Sequence, residues 1–272
     1  MQFNLFSIKS CYVFIISMAA SLAVHAQKEN DISGGVKAPA VKVDGKSTEW
    51  GQLPAYNKTT LLHYVIANDA NNLYLAISAT DQTSINKMLA GGLTFTINKE
   101  GKKKDKDAAV IVYPMVTNGA RGFRGMRSRP GEAVDTAALV ASRKQTVAGM
   151  KELSITGVKD ITDTLVSIYN TYGIKTAINF DTKGNLFYEL EVPLKLLELD
   201  AAKSAELAYN LKLNGMQFGG GREVVIREAG GGQGGGGGFG IRGGGGGGFG
   251  GGAMAEMMTP TDFWGKYKLA KP

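Results

Sequence analysis

Asn71-Asn72-Leu73-Tyr74-Leu75-Ala76-Ile77-Ser78-Ala79-Thr80-Asp81 is the stretch on which the fold turns. Leu73, Leu75, Ile77 and Ala79 recur at every second position, which puts four apolar side chains on one face of an extended strand. Tyr74, Ala76, Ser78 and Thr80 form the other face, small or hydroxylated apart from the tyrosine. Upstream, Leu62, Tyr64 and Ile66 alternate in the same way. Asn68-Asp69-Ala70-Asn71-Asn72 between the two runs supplies the short polar residues that a tight reversal needs. The stretch therefore predicts a hairpin. A lone hairpin is marginal in water, so its apolar face requires a second layer from the rest of the chain.

Of the 272 residues, the first 26 read as a secretory leader rather than as part of the fold. Lys9 precedes an apolar run from Cys11 to Val24, and Val24-His25-Ala26 carries the small residue that cleavage needs. The run is short of the ~20 apolar residues of a bilayer helix, and nothing later is apolar enough to be one. The expected destination is outside the cytoplasm: periplasm, cell surface or medium. The leader carries Lys9 and no acid, so the formal charge of +7 becomes 30 basic against 24 acidic residues, or +6, in the remainder. Such a mildly basic chain attracts acidic polymers or an anionic surface. Cys11 and His25 leave with the leader, and His63 is then the one histidine. Without their ligands, disulfides, thiol nucleophiles and Cys/His zinc centres are excluded. No cofactor and no metal-binding residue is assigned.

Working outward, residues 27–40 are polar, with Ser33-Gly34-Gly35 and Pro39, and read as a flexible lead-in. In Val41-Lys42-Val43-Asp44-Gly45-Lys46-Ser47-Thr48-Glu49-Trp50, the Asp-Gly pair turns the chain, and Trp50 reads as a buried plug of a small β-domain. Leu93, Phe95 and Ile97 alternate in a further strand, which returns at Ala109–Pro114 around a charged tip, Lys99–Asp107. Residues 118–133 interleave Arg121, Arg124, Arg127 and Arg129 with glycines around Phe123 and Met126. Such a segment suits RNA inside a cell; with export, the readings are a mobile loop or a contact for an acidic polymer. Asp135 is placed to cap a helix over Thr136–Met150.

A second strong hairpin is written in Ile174, Thr176, Ile178 and Phe180, the turn Asp181–Asn185, and Leu186, Tyr188, Leu190 and Val192. Glu189 and Glu191 fall on its opposite face, about 7 Å apart by strand geometry. Such a carboxylate pair is the requirement of glycoside hydrolysis, weighed against a plain solvent-facing edge. Leu207, Tyr209, Leu211 and Leu213 make another alternating strand. From Gly230 to Gly252, 18 of 23 residues are glycine, a tract with almost nothing to bury and maximal backbone entropy to lose. Order returns at Thr259–Leu269, where Phe263, Tyr267 and Leu269 share a face and Trp264 shares the other with Lys266 and Lys268.

Several separated motifs occur in an order that resembles the carbohydrate-binding module family nine, or DOMON-like, domain: Val43-Asp44-Gly45 with Glu49-Trp50; Asn68-Asp69 leading into Asn72-Leu73-Tyr74-Leu75 and ending at Asp81; Gly92-Leu93-Thr94; Tyr188-Glu189-Leu190-Glu191-Val192-Pro193-Leu194; and a closing Phe263-Trp264-Gly265. The resemblance spans about residues 40–272. It implies an all-β fold, a two-sheet antiparallel β-sandwich of jelly-roll character. The chain then divides into the leader 1–26, the lead-in 27–40, and a sandwich over 41–272 with one short helix and a disordered glycine-rich insertion at 229–258. Sugar-binding members of that family hold a terminal sugar between two tryptophans. Trp50 lies at the family's structural Asp-Gly motif, which leaves Trp264 as the platform and Tyr113 or Phe123 to stand in for its partner.

The expected function is accordingly an exported, non-catalytic binding module for a glycan or acidic polymer, using Trp264, Tyr113, Arg121, Phe123 and Arg124. A structural or partner-binding protein of the cell envelope, acting through the glycine tract, is the second reading. An enzyme is third, since a Ser-His-Asp triad has to use His63, mid-strand in the first hairpin. Nucleic acid is not expected as a partner.

Overall fold

The computed structural model describes residues 34–115, 135–203, 205–216 and 251–272. Eleven strands occur among them: β1 (Ala55–Asn57), β2 (Leu62–Asn68), β3 (Asn72–Ala79), β4 (Leu93–Asn98), β5 (Ala109–Tyr113), β6 (Glu152–Thr156), β7 (Leu165–Ser167), β8 (Lys175–Phe180), β9 (Leu186–Pro193), β10 (Glu206–Leu213) and β11 (Thr261–Lys268). They form two antiparallel sheets, β1-β2-β3-β9-β8 and β11-β10-β4-β5-β6-β7. The protein is a two-sheet β-sandwich. The hairpins predicted at 62–79, 93–113 and 174–192 are all present.

Period-two alternation decides which side chains meet between the sheets. From the first sheet come Tyr64, Ile77 and Tyr188 in one cross-strand row and Ile66, Leu75 and Leu190 in another. From the second come Phe95, Ile111 and Leu211. All lie in one buried cluster. The hydroxyls of Tyr64 and Tyr209 meet across the gap at 3.0 Å, and Phe263 packs on both rings. Burying each such side chain stabilises the fold by about 1.5–3 kcal/mol relative to leaving it exposed.

Gly265 shows how tightly the layers fit. It lies directly opposite Tyr209, and a Cβ on it would stand 2.3 Å from the ring's Cζ and hydroxyl oxygen. That ring is buried and tethered to Tyr64, so it has no free direction in which to yield. Gly265→Ala is expected to cost about 1–3 kcal/mol, as overpacking of a close-packed core does. The midpoint of urea unfolding checks this; an unchanged midpoint would mean that the edge strand β11 shifts freely.

Three α-helices accompany the sheets among the described residues. One of them, α2 (Thr136–Ala148), begins where the sequence predicts it, with the Asp135 carboxylate accepting from the Ala137 and Ala138 amides. The helix α1 (Gln82–Gly91) was not expected: Asp81 caps it through the Ser84 amide, and Ile85, Met88 and Leu89 are buried beneath it. The third, α3 (Gly251–Met258), falls at the end of the stretch read as a disordered insertion. The rest of that insertion and the Arg/Gly segment 118–133 lie outside the described residues, as does the leader.

Two expectations for the first hairpin's neighbours are corrected. Glu189 and Glu191 do not face solvent: β9 is an inner strand between β3 and β8, and both residues are buried. Trp50 is half-buried and packs on the outside of the first sheet, edge-on to Tyr74 at 6.2 Å, instead of plugging the space between the sheets.

Candidate functional site

The outer face of the first sheet is covered over part of its length by the segment 44–53. Three rows of side chains cross that face. Ala67, Tyr74, Glu191 and Lys175 make one; Val65, Ala76, Glu189 and Ala177 the next; Tyr56, His63, Ser78, Phe187 and Asn179 the third. The segment is fastened at the middle row. Glu189 Oε2 accepts from the amides of Asp44 (3.0 Å) and Gly45 (2.7 Å), and its Oε1 accepts from the Trp50 indole at 2.8 Å. Burial pushes the Glu189 carboxyl up, while these three donors pull against that shift. Gly45 makes the close approach possible: its φ is +77°, and a Cβ there would lie 2.8 Å from the Asn179 Cβ.

Four residues of the third row, His63, Ser78, Phe187 and Asn179, are left as the floor of a cleft of about 650 Å³. On four adjacent strands about 4.8 Å apart they make this floor roughly 14 Å long. One wall is the fastened segment, Gly45 to Leu53; the other is the turn after β8 and Lys144 of α2. At one end the His63 ring meets the Tyr56 ring beyond the cleft at a tilt of 41°, 4.7 Å between centroids. Ser78 and His63 are half-buried, and Phe187 presents a narrow apolar strip between the polar ends.

The far wall is rigid. Asp181 Oδ1 accepts from the amides of Lys183 (2.8 Å) and Asn185 (2.9 Å), and its Oδ2 accepts from Asn185 Nδ2 at 2.8 Å. Arg143 of α2 backs the turn. Its Nη1 donates to the Gly184 carbonyl at 3.1 Å, its Nη2 to Gln82 Oε1 at 2.7 Å and Asn86 Oδ1 at 3.3 Å, and its guanidinium lies 5.7 Å from the Phe180 ring centre. That one side chain ties α2, α1 and the turn together and so places Lys144.

Of the residues expected to bind ligand, the two that are described, Tyr113 and Trp264, are not brought together. Tyr113 is 2% exposed, faces the space between the sheets, and its hydroxyl donates to the Met150 carbonyl at 3.3 Å. Burial pushes its phenol up to about 12, and no ring face is left for a sugar. Trp264 is half-buried on the outer face of the second sheet, opposite Asn210, on the other side of the sandwich from the cleft. Arg121, Phe123 and Arg124 lie outside the described residues. Asn68, Asp69 and Asp81 are committed to a buried hub, a turn and a helix cap. The cleft residues carry only a weak sequence signal, a polar or aromatic outer face at each strand's end. Nothing local marks the partner of Asp44-Gly45, which is some 145 residues away.

No family model and no curated protein matches the chain. Among solved structures, a carbohydrate binding module of family 9 from Caldicellulosiruptor kristjanssonii, in complex with glucose, aligns over 90% of this chain and 97% of its own. The identity is 10% and the TM-score 0.36. A likeness this slight carries no weight for site or ligand, which rest on the geometry above.

Proposed function

We propose that the protein is an exported, non-catalytic binding module that holds a saccharide in the cleft above His63, Ser78, Phe187 and Asn179. The observation that carries this reading is the floor itself, an apolar ring strip flanked by hydroxyl, imidazole and amide groups along a groove of several sugar lengths. Pockets that combine apolar contact with a few fixed polar groups are the usual form of small-molecule sites. The carboxylate pair suggested for hydrolysis is otherwise engaged: Glu189 spends both oxygens on the 44–50 segment, and Glu191 pairs with Lys175 at 2.9 Å.

The test is retention on a panel of immobilised neutral and acidic polysaccharides, followed by calorimetry on those that bind. The paired substitution His63→Ala with Asn179→Ala is expected to weaken binding by about tenfold or more, the loss of two hydrogen bonds. Trp264→Ala is expected to leave it unchanged. Retention by none of the panel, or loss with Trp264→Ala alone, would overturn the reading.

A further inference from the structure

Resting on that reading, we propose that the cleft takes an acidic saccharide, bearing carboxylate or sulfate, whose anion sits at the Lys144 end. The charged groups of the cleft leave a cation unpaired among the described residues. Asp181 is the one carboxylate among the lining residues, and its two oxygens are consumed by the turn it closes. Lys46 is held by Asp44 at 3.1 Å. Lys144 is exposed at the rim with no ion-pair partner among the described residues. Asn179 Oδ1 accepts from the Phe180 amide at 2.8 Å, which leaves its Nδ2 as an unpaired donor among the described residues.

Behind the same wall lies a charge without a counterion among the described residues. Arg143 is 2% exposed, all three of its hydrogen-bond acceptors are neutral, and its Nε is a buried donor with no partner among the described residues. Burying a guanidinium without a carboxylate is costly, and arginine does not escape by losing its proton. Through its bond to the Gly184 carbonyl, Arg143 therefore adds a positive charge directly behind the turn that walls that end of the cleft. A neutral sugar would leave it uncompensated; an anion placed against Lys144 would not. Planar and tetrahedral oxyanions both offer the acceptors that these donors lack.

The experiment uses the whole protein and three oligosaccharide probes of equal length: an oligogalacturonate, its carboxyl-reduced neutral counterpart, and a sulfated galactan. Calorimetry is run at low salt and again near physiological ionic strength, where screening shortens to about 8 Å. At least one acidic probe is expected to bind about tenfold tighter than the neutral one, to weaken with salt, and to lose about tenfold with Lys144→Glu, a rim charge whose reversal leaves the core untouched. Equal binding of neutral and acidic probes, unaffected by Lys144→Glu, would overturn the acidic ligand and leave the cleft reading standing. Binding of no probe would overturn both.

Discussion

Glu189→Ala is expected to lower stability by about 3 kcal/mol or more and to abolish ligand binding together with it. The carboxylate is 1% exposed and serves three donors, the Asp44 and Gly45 amides and the Trp50 indole. Truncation leaves each of them without its acceptor, at about 1–3 kcal/mol per buried group, with some recovered as the segment loosens and admits water. That loosening removes the near wall of the cleft. Glu189→Gln is expected to fall between, because an amide accepts at one end only and presents its own N–H to donors at the other. Glu191→Gln is expected to do less, since its partner Lys175 reaches it from solvent. Urea midpoints rank the variants, and hydrogen exchange of residues 44–51 separates loss of the wall from global unfolding. A Glu189→Ala protein with unchanged midpoint and unchanged exchange would refute the fastening role.

The same group predicts a pH dependence of definite sign. Its folded-state pKa is raised above the unfolded value by burial. Its contribution to stability is therefore fully present below the unfolded carboxyl range and is lost as pH rises through the folded value. The stability gap between the natural protein and Glu189→Gln is expected to shift in favour of the natural protein on acidification across that window. Asp69 runs the other way. Burial raises its pKa, but the Asn71 amide, the Tyr74 hydroxyl and the Asn72 amide outweigh that and hold it below the ordinary value. Its contribution is present above the unfolded pKa and is lost as pH falls through the folded one.

Asn68→Ala is the second large effect, expected at about 3 kcal/mol, or roughly 6–12 °C in Tm for a chain of this size. Asn68 is 1% exposed and all of its polar atoms are engaged. Nδ2 donates to the carbonyls of Asp69 (2.9 Å) and Ala270 (3.0 Å); Oδ1 accepts from the Tyr267 hydroxyl and the Ala270 amide, each at 2.8 Å. Its own backbone bonds Val36 and Ala38. One residue at the end of β2 thus ties the first hairpin to segments near both ends of the described chain. Asn68→Asp keeps the shape but turns a lone pair towards two carbonyls, so it is expected to cost about as much as alanine. A loss below 1 kcal/mol in both would show that the two end segments hold without it.

The sandwich was legible because its information is local. Leu73, Leu75 and Ile77, or Leu186, Tyr188 and Leu190, announce strand and inner face within six residues, and antiparallel hairpins follow from the turns between them. Even the burial of Tyr113 stood in the pattern, since Ala109, Ile111 and Tyr113 share the inward face. The helix α1 was missed because Ile85, Met88 and Leu89 give barely one turn of helical period between two strong strands. The site was not legible, because its construction is non-local. Glu189 reads as an outward residue of an alternating strand, and only the folded chain shows Asp44, Gly45 and Trp50 lying over it. Arg143 belongs to a helix of weak amphipathicity, and nothing in the sequence around it shows that it braces a turn 41 residues on. Trp264, by contrast, drew attention through the family resemblance and its place on a face with Lys266 and Lys268.

Ligand is expected to lie on the outer face of the first sheet, between the segment fastened by Glu189 and the turn braced by Arg143. Chemical-shift mapping of the isotope-labelled protein during titration with the oligogalacturonate and the sulfated galactan tests this most directly. The expected result is saturable shifts at His63, Ser78, Lys144, Asn179 and Asn185, with Trp264 and Asn210 unmoved. Shifts confined to Trp264, Asn210 and their neighbours on the opposite sheet would contradict it.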